Sequence, residues 1–147
     1  MYVADSFKGL PPPDPKYKHD AADVHSAFDF LTVSVDQVKS HFQKYNLLED
    51  NVVFIKGFFE TSVNAGIEKH GELRLDGDMY SSTIQVLDRL YDKLSIRGYV
   101  IIDDYNCLHN CKAAVNDFRA KRAIITPMIQ IDWSGCTGGR KRISSKC

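Results

Sequence analysis

The chain has 147 residues, 44% of them apolar and 26% charged, and its 19 Lys and Arg balance 19 Asp and Glu. That length suits one domain, and the composition excludes a disordered or fibrous chain. A formal net charge of zero gives no footprint for nucleic acid, and no apolar run approaches the roughly 20 residues that span a bilayer.

Met1–Asp5 reads as a short strand that ends on an acid. The opening MYVADSFKGLPPPDP shows no basic segment followed by an apolar one, so no secretory signal is expected. Residues 6–31 carry no clean period and hold Pro11, Pro12, Pro13 and Pro15. A stretch of this length predicts a lid or binding loop rather than filler. Ser34 and Gln37 have the spacing of a capping box. Val35, Val38, Phe42 and Tyr45 follow at helical spacing, which predicts a helix over 35–46 with one apolar face. Val52-Val53-Phe54-Ile55 is a strand-length apolar run closed by Lys56-Gly57.

Residues 72–78, ELRLDGD, predict a strand that runs into Asp76 and Asp78. Residues 81–94 predict a helix with Ile84, Leu87, Leu90, Tyr91 and Leu94 on its apolar side. Tyr99–Ile102 predicts a buried strand running into Asp103-Asp104. Cys111, Ala114, Val115 and Phe118 mark a further helix, with His109 at its entry. Residues 128–133 predict the last strand, with Trp133 assigned to packing, and 136–147 a loose basic tail. Strands alternating with amphipathic helices indicate an α/β domain over 1–135 with a mostly parallel sheet.

Four cysteines, Cys107, Cys111, Cys136 and Cys147, are too few for a disulfide framework. Cys107 and Cys111 lack a second Cys/His pair at zinc spacing. Thiols in a reducing, cytoplasmic compartment are expected. The basic run Arg140–Arg142 is read as a solvated tail, and His25 as a surface residue of the lid.

Ligands of an open α/β sheet bind outside the carboxyl ends of its strands. Those ends carry Asp5, Gly57, Asp76 with Asp78, and Asp103 with Asp104. Carboxylates gathered on one edge repel one another unless a cation or donor compensates them. Asp76, Asp103 and Asp104, all oxygen donors from two neighbouring strands, suit a hard divalent ion, Mg²⁺ ahead of zinc.

The strings VADSFKGLPPPDP, VSVDQVKSHFQKYNLLEDNVVFIKGFF, LRLDGDMYSSTIQVLDRLYDKLSIRGYVIIDDY and CKAAVNDFRA, with the later IDWSG, resemble the macrocin O-methyltransferase family over residues 2–135. The resemblance implies a Rossmann-like class I fold and methyl transfer from S-adenosylmethionine to a hydroxyl of a sugar or similar small molecule. It implies that Asp5, with Ser6, binds the cofactor ribose, and that Lys56, Gly57 and Phe58 lie near the adenine. It implies that Asp76, Asp103 and Asp104 hold Mg²⁺, that Asp76 also serves as general base, and that residues 10–30 form the lid over the acceptor. Homo-oligomers are expected by the same analogy. A sugar hydroxyl is a poor nucleophile at pH 7, so a divalent ion and a carboxylate within reach suit this chemistry.

The family's first strand and its glycine loop have no counterpart in the chain. The loop would approach the methionine part of the cofactor, and the strand would stand at the centre of a sheet ordered 3-2-1-4-5-7-6. Without it, the strands at 2–5 and 72–76 are expected either to close up or to need a further segment. Three functions compete on this reading. The first is the Mg²⁺-dependent O-methyltransferase, impaired by truncation. The second is a non-catalytic remnant of the same fold that acts through a partner. The third, a metal-dependent phosphoryl-transfer or hydrolytic domain, lacks a phosphate cradle.

Overall fold

The computed structural model of the chain describes residues 1–63 and 66–138. Two short extended runs, β1 (Tyr2–Asp5) and β2 (Val53–Lys56), pair in parallel with Tyr2 opposite Val53 and Asp5 opposite Lys56. Between them lie the loop expected to form a lid, and helix α1 (Val35–Lys44). The capping box forms as its spacing predicts. Ser34 Oγ accepts the Gln37 N–H at 3.3 Å, and Gln37 Oε1 accepts the Ser34 N–H at 3.0 Å, satisfying two otherwise orphaned donors. Val35, Val38 and Phe42 are half-buried, and Phe42 lies edge-on to Phe54 of β2 at 5.7 Å. Tyr45, expected on that face, caps the helix and is exposed.

The second half comprises the short α2 (Phe59–Ser62), β3 (His70–Leu75), α3 (Tyr80–Leu90), β4 (Leu94–Ile102), α4 (His109–Lys121), β5 (Met128–Gln130) and β6 (Cys136–Gly138). Its sheet runs β3-β4-β6-β5, with β3 and β4 parallel and β6 antiparallel to both neighbours. α3 and α4 pack on it. Val86, Leu87 and Leu90 meet Leu75, Val100, Ile102, Val115 and Phe118 in the main core. β4 starts five residues before the predicted Tyr99, because its register with β3 slips between His70 and Glu72. Gly98 permits that irregularity: a Cβ there would lie 2.7 Å from the Gly71 carbonyl oxygen, a contact that only glycine avoids.

Four further expectations change. The helix predicted through Leu94 ends at Leu90, and a 3-10 turn at Tyr91–Lys93 leads into β4. β5 stops at Gln130 because Asp132 Oδ1 accepts the N–H groups of Ser134 and Gly135, at 3.0 and 2.6 Å, in a turn. That turn leaves Trp133 80% exposed, so it does not pack. It also returns the chain as β6, within the span expected to be loose. Arg140–Arg142 and Cys147 lie outside the described residues.

Among the described residues, no hydrogen-bonded register joins β1 to β3. The two edges have not closed up, and the sheet is in two pieces. No described helix is long and apolar enough to cross a membrane.

Candidate active site

Asp76 follows the last residue of β3, and Asp104 stands two residues beyond β4. Asp78 lies close to both. Its φ of 53° is a left-handed value that turns the chain out of the strand direction. One carboxylate oxygen from each of Asp76, Asp78 and Asp104 lies within 4.8 Å of the others. Asp104 Oδ2 is buried with no hydrogen-bond partner, while its Oδ1 accepts from Cys107 Sγ at 3.6 Å.

Asp103 is placed differently. Arg74 Nη2 and Nε donate to its Oδ2 at 2.5 and 3.1 Å. Alternation explains the split. Arg74 pairs with Ile101 in the β3/β4 register, so Asp103 continues the Arg74 side and Asp104 the side of buried Ile102. The expected trio Asp76, Asp103 and Asp104 is thus a cluster of Asp76, Asp78 and Asp104, with Asp103 beside it and held by a cation. Sequence reasoning noted Asp78 at the strand end but gave it no role. The DGD spacing was the available signal.

Crowding perturbs the cluster. Burial pushes the Asp76 carboxyl up, and Asp104 and Asp103 add to the shift against the opposing Arg74. Burial pushes Asp78 up to about 6, with Asp104 and Asp76 adding and His25 opposing. Three oxygen ligands in mutual repulsion, one oxygen of them buried and unpartnered, fit a hard divalent cation in donor type and charge.

Asp76 and Asp78 also face a cavity of about 440 Å³ whose far wall is Asp5, Ser6, Phe58 and Phe59. The lid contributes Leu10, Pro11 and Leu31. Asp5 Oδ1 accepts the Phe7 N–H at 2.5 Å, and Ser6 Oγ donates to the Gly9 carbonyl at 2.6 Å. Gly57, at φ 146°, donates its N–H to the Asp5 carbonyl at 2.9 Å. Of the expected cofactor residues, Asp5, Ser6 and Phe58 line the cavity, whereas Lys56 and Gly57 do not.

The lid comprises three 3-10 turns, Lys18–Asp20, His25–Ala27 and Asp29–Leu31. Asp20 is fully buried and accepts the N–H groups of Tyr80 and Ser81, both at 2.8 Å. Asp23 holds His25 Nδ1 at 3.0 Å and accepts from Asn110 Nδ2 at 3.3 Å. No local pattern marks either aspartate as an anchor.

Residues 1–138 match the family model described as Macrocin-O-methyltransferase (TylF). Demethyldecarbamoylnovobiocin O-methyltransferase of Streptomyces niveus is 41% identical over 147 residues, covering 97% of this chain and 55% of that protein. The 8-demethyl-8-(2,3-dimethoxy-alpha-L-rhamnosyl)-tetracenomycin-C 4'-O-methyltransferase of Streptomyces olivaceus is 38% identical, covering 92% and 52%. The solved structure of the O-methyltransferase NovP superposes with a TM-score of 0.91 at 38% identity, covering 96% of this chain and 60% of that one. The chain spans about half the length of the curated relatives it matches. Fold, motifs and this extent of match together place the chain in the macrocin O-methyltransferase family.

Proposed function

We propose that this chain acts as an S-adenosylmethionine-dependent O-methyltransferase on a hydroxyl of a sugar or sugar-bearing natural product, with Mg²⁺ as its metal. The observation that carries the reading is the double position of Asp76 and Asp78: both belong to the acid cluster and both face the cavity. Asp76 and Asp104 would hold the ion together with Asp78, and Asp103 would tune Asp76 from the side. When bound, S-adenosylmethionine supplies an electrophilic methyl group, and Mg²⁺ supplies the charge that lowers a hydroxyl pKa.

The protein's own groups do the rest. Asp5 and Ser6 bind the ribose side of the cofactor, and Phe58 packs near its base. Lid residues Leu10, Pro11 and Leu31 exclude water above the reacting atoms. The hydroxyl proton passes to the Asp76 and Asp78 pair, since carboxylates this close exchange protons as one unit. Asp76 is the base that the family resemblance implies. Transfer would form an oxygen–methyl bond and break the cofactor's sulfur–methyl bond, while the protein's carboxylates hold the hydroxyl proton. The free thiols Cys107, Cys111 and Cys136 suit a cytoplasmic location.

Calorimetric titration of the 147-residue chain with S-adenosylhomocysteine and Mg²⁺ tests this. Saturable binding near one to one, weakened at least tenfold by Asp5→Ala, is expected. A folded chain that gives no heat overturns the reading. The separation of β1 from β3 would then favour the second reading, a non-catalytic chain of the same fold acting through a partner.

A further inference from the structure

We propose that Asp20 is a positioning residue that latches the lid to the turn carrying Asp78, so that the lid and the acid cluster move as one unit. This rests on the reading of that cluster as the reaction site.

Helix α3 begins without a cap of its own. Its N-cap residue is Met79, whose side chain makes no capping hydrogen bond. The first N–H groups of a helix must find acceptors from outside the helix. Here those of Tyr80 and Ser81 find both oxygens of Asp20, a residue 60 positions earlier and fully buried. Among the described residues, no Lys or Arg side chain pairs with that carboxylate. Its charge is balanced by the two N–H groups and the positive end of the helix. Met79, also fully buried, separates this cap from Asp78 by a single residue. His19, next to Asp20, stacks on the Tyr80 ring at 4.7 Å.

The geometry allows two coherent arrangements and penalises mixtures. With the lid down, Asp20 is satisfied and α3 is capped. With the lid up, Asp20 returns to water and the first turn of α3 loses two acceptors at once. Raising the lid therefore loosens the turn that aims Asp78. Partial opening leaves either a buried carboxylate or a buried pair of N–H groups without partners, and both are costly. An ordinary cap would hold its own helix. This one is lent by the segment that covers the cavity.

Amide hydrogen exchange on the whole chain tests the latch. In the wild type, Tyr80, Ser81 and the hydrogen-bonded lid amides of Asp20, Ala21, Asp23, Ala27, Phe28 and Leu31 are expected to open with a common equilibrium constant. Openings that differ by more than tenfold overturn the proposal, and this arm needs no variant. Asp20→Asn keeps the shape but leaves one acceptor oxygen for two donors. It is expected to speed exchange at least tenfold in both segments together. Ser34→Ala, which removes a cap on α1, is the control and should leave both segments unchanged. If Asp20→Asn loosens the helix start while the lid stays protected, Asp20 is a cap only. Mn²⁺ titration adds a functional readout, with affinity expected to fall several-fold in Asp20→Asn and not in Ser34→Ala. A wild-type chain that binds no Mn²⁺ removes the metal reading, while the exchange result still decides the latch.

Discussion

The two halves of the molecule are built to different standards. The β3/β4/β6/β5 half buries Val86, Leu87, Leu90, Val115 and Phe118 from two helices against its strands. The β1/β2 half carries helix α1, none of whose residues is fully buried. Among the described residues, its strands meet the main core through the partly buried Ala4 and Ile55. The acid cluster stands on the thick half, while Asp5, Gly57 and Phe58 stand on the thin one. Burial of apolar surface is the main source of stability. The acid cluster therefore rests on the stronger support, and the wall formed by Asp5 and Phe58 leans against it.

The largest test of that contrast is Phe118→Ala. Phe118 is 1% exposed and packs edge-on to Tyr91 at 5.1 Å. Its truncation is expected to cost about 3–5 kcal/mol, read as a lower urea midpoint. β1 and β2 amides should lose protection along with the core. If they keep it, the thin half stands alone and the contrast is wrong.

Asp78→Asn should act in the opposite sense on the metal-free chain. Folding raises the Asp78 carboxyl from its ordinary 3.8 to about 6, so the folded state holds the extra proton between those values. Its stabilising contribution is complete below the unfolded pKa and is lost as pH rises through 6. The asparagine escapes that loss. The variant should be more stable than wild type at pH 7.5, by on the order of 1 kcal/mol after allowance for solvent screening. The gain should shrink toward pH 5 in paired thermal melts. An equal gain at both values would remove carboxylate crowding as its cause.

Smallest in reach is Ser34→Ala, at about 1 kcal/mol. Its effect should stay within α1, seen as faster exchange at Gln37, with the thick half unmoved. A matching loss around Phe118 would show that the halves are coupled more tightly than their packing suggests.

Local signals carried much of this architecture. The Ser34/Gln37 capping box, the apolar run ending at Ile55 and the buried spacing of Cys111, Ala114, Val115 and Phe118 are all as their patterns predict. Acids at strand ends pointed to the rim where Asp76, Asp78 and Asp104 gather, because side chains beyond a strand end share one rim of the sheet. The pattern did not sort Asp103 from Asp104. That distinction needs the register of β3 on β4, which a bulge at Gly98 shifts. It did not give Asp78 a role either, since a left-handed turn rather than strand alternation aims it. Asp20 was out of reach altogether: its partners are backbone groups 60 residues away, and a backbone N–H leaves no mark on the sequence. β6 was missed because the Asp132 turn returns the chain over a span whose composition resembles a tail.

The exposed Asp132–Gly135 turn also determines how this protein looks in a fluorimeter. Trp133 is the chain's one tryptophan, and at 80% exposure its indole already emits from a water-like environment. Melting the core around Phe118 leaves that surrounding almost unchanged, so red shift is a poor gauge of unfolding here, and circular dichroism or tyrosine signals serve better. The same indole is a sensitive reporter of coverage. Any surface that settles over the β5–β6 turn would exclude water from it and move the emission to the blue.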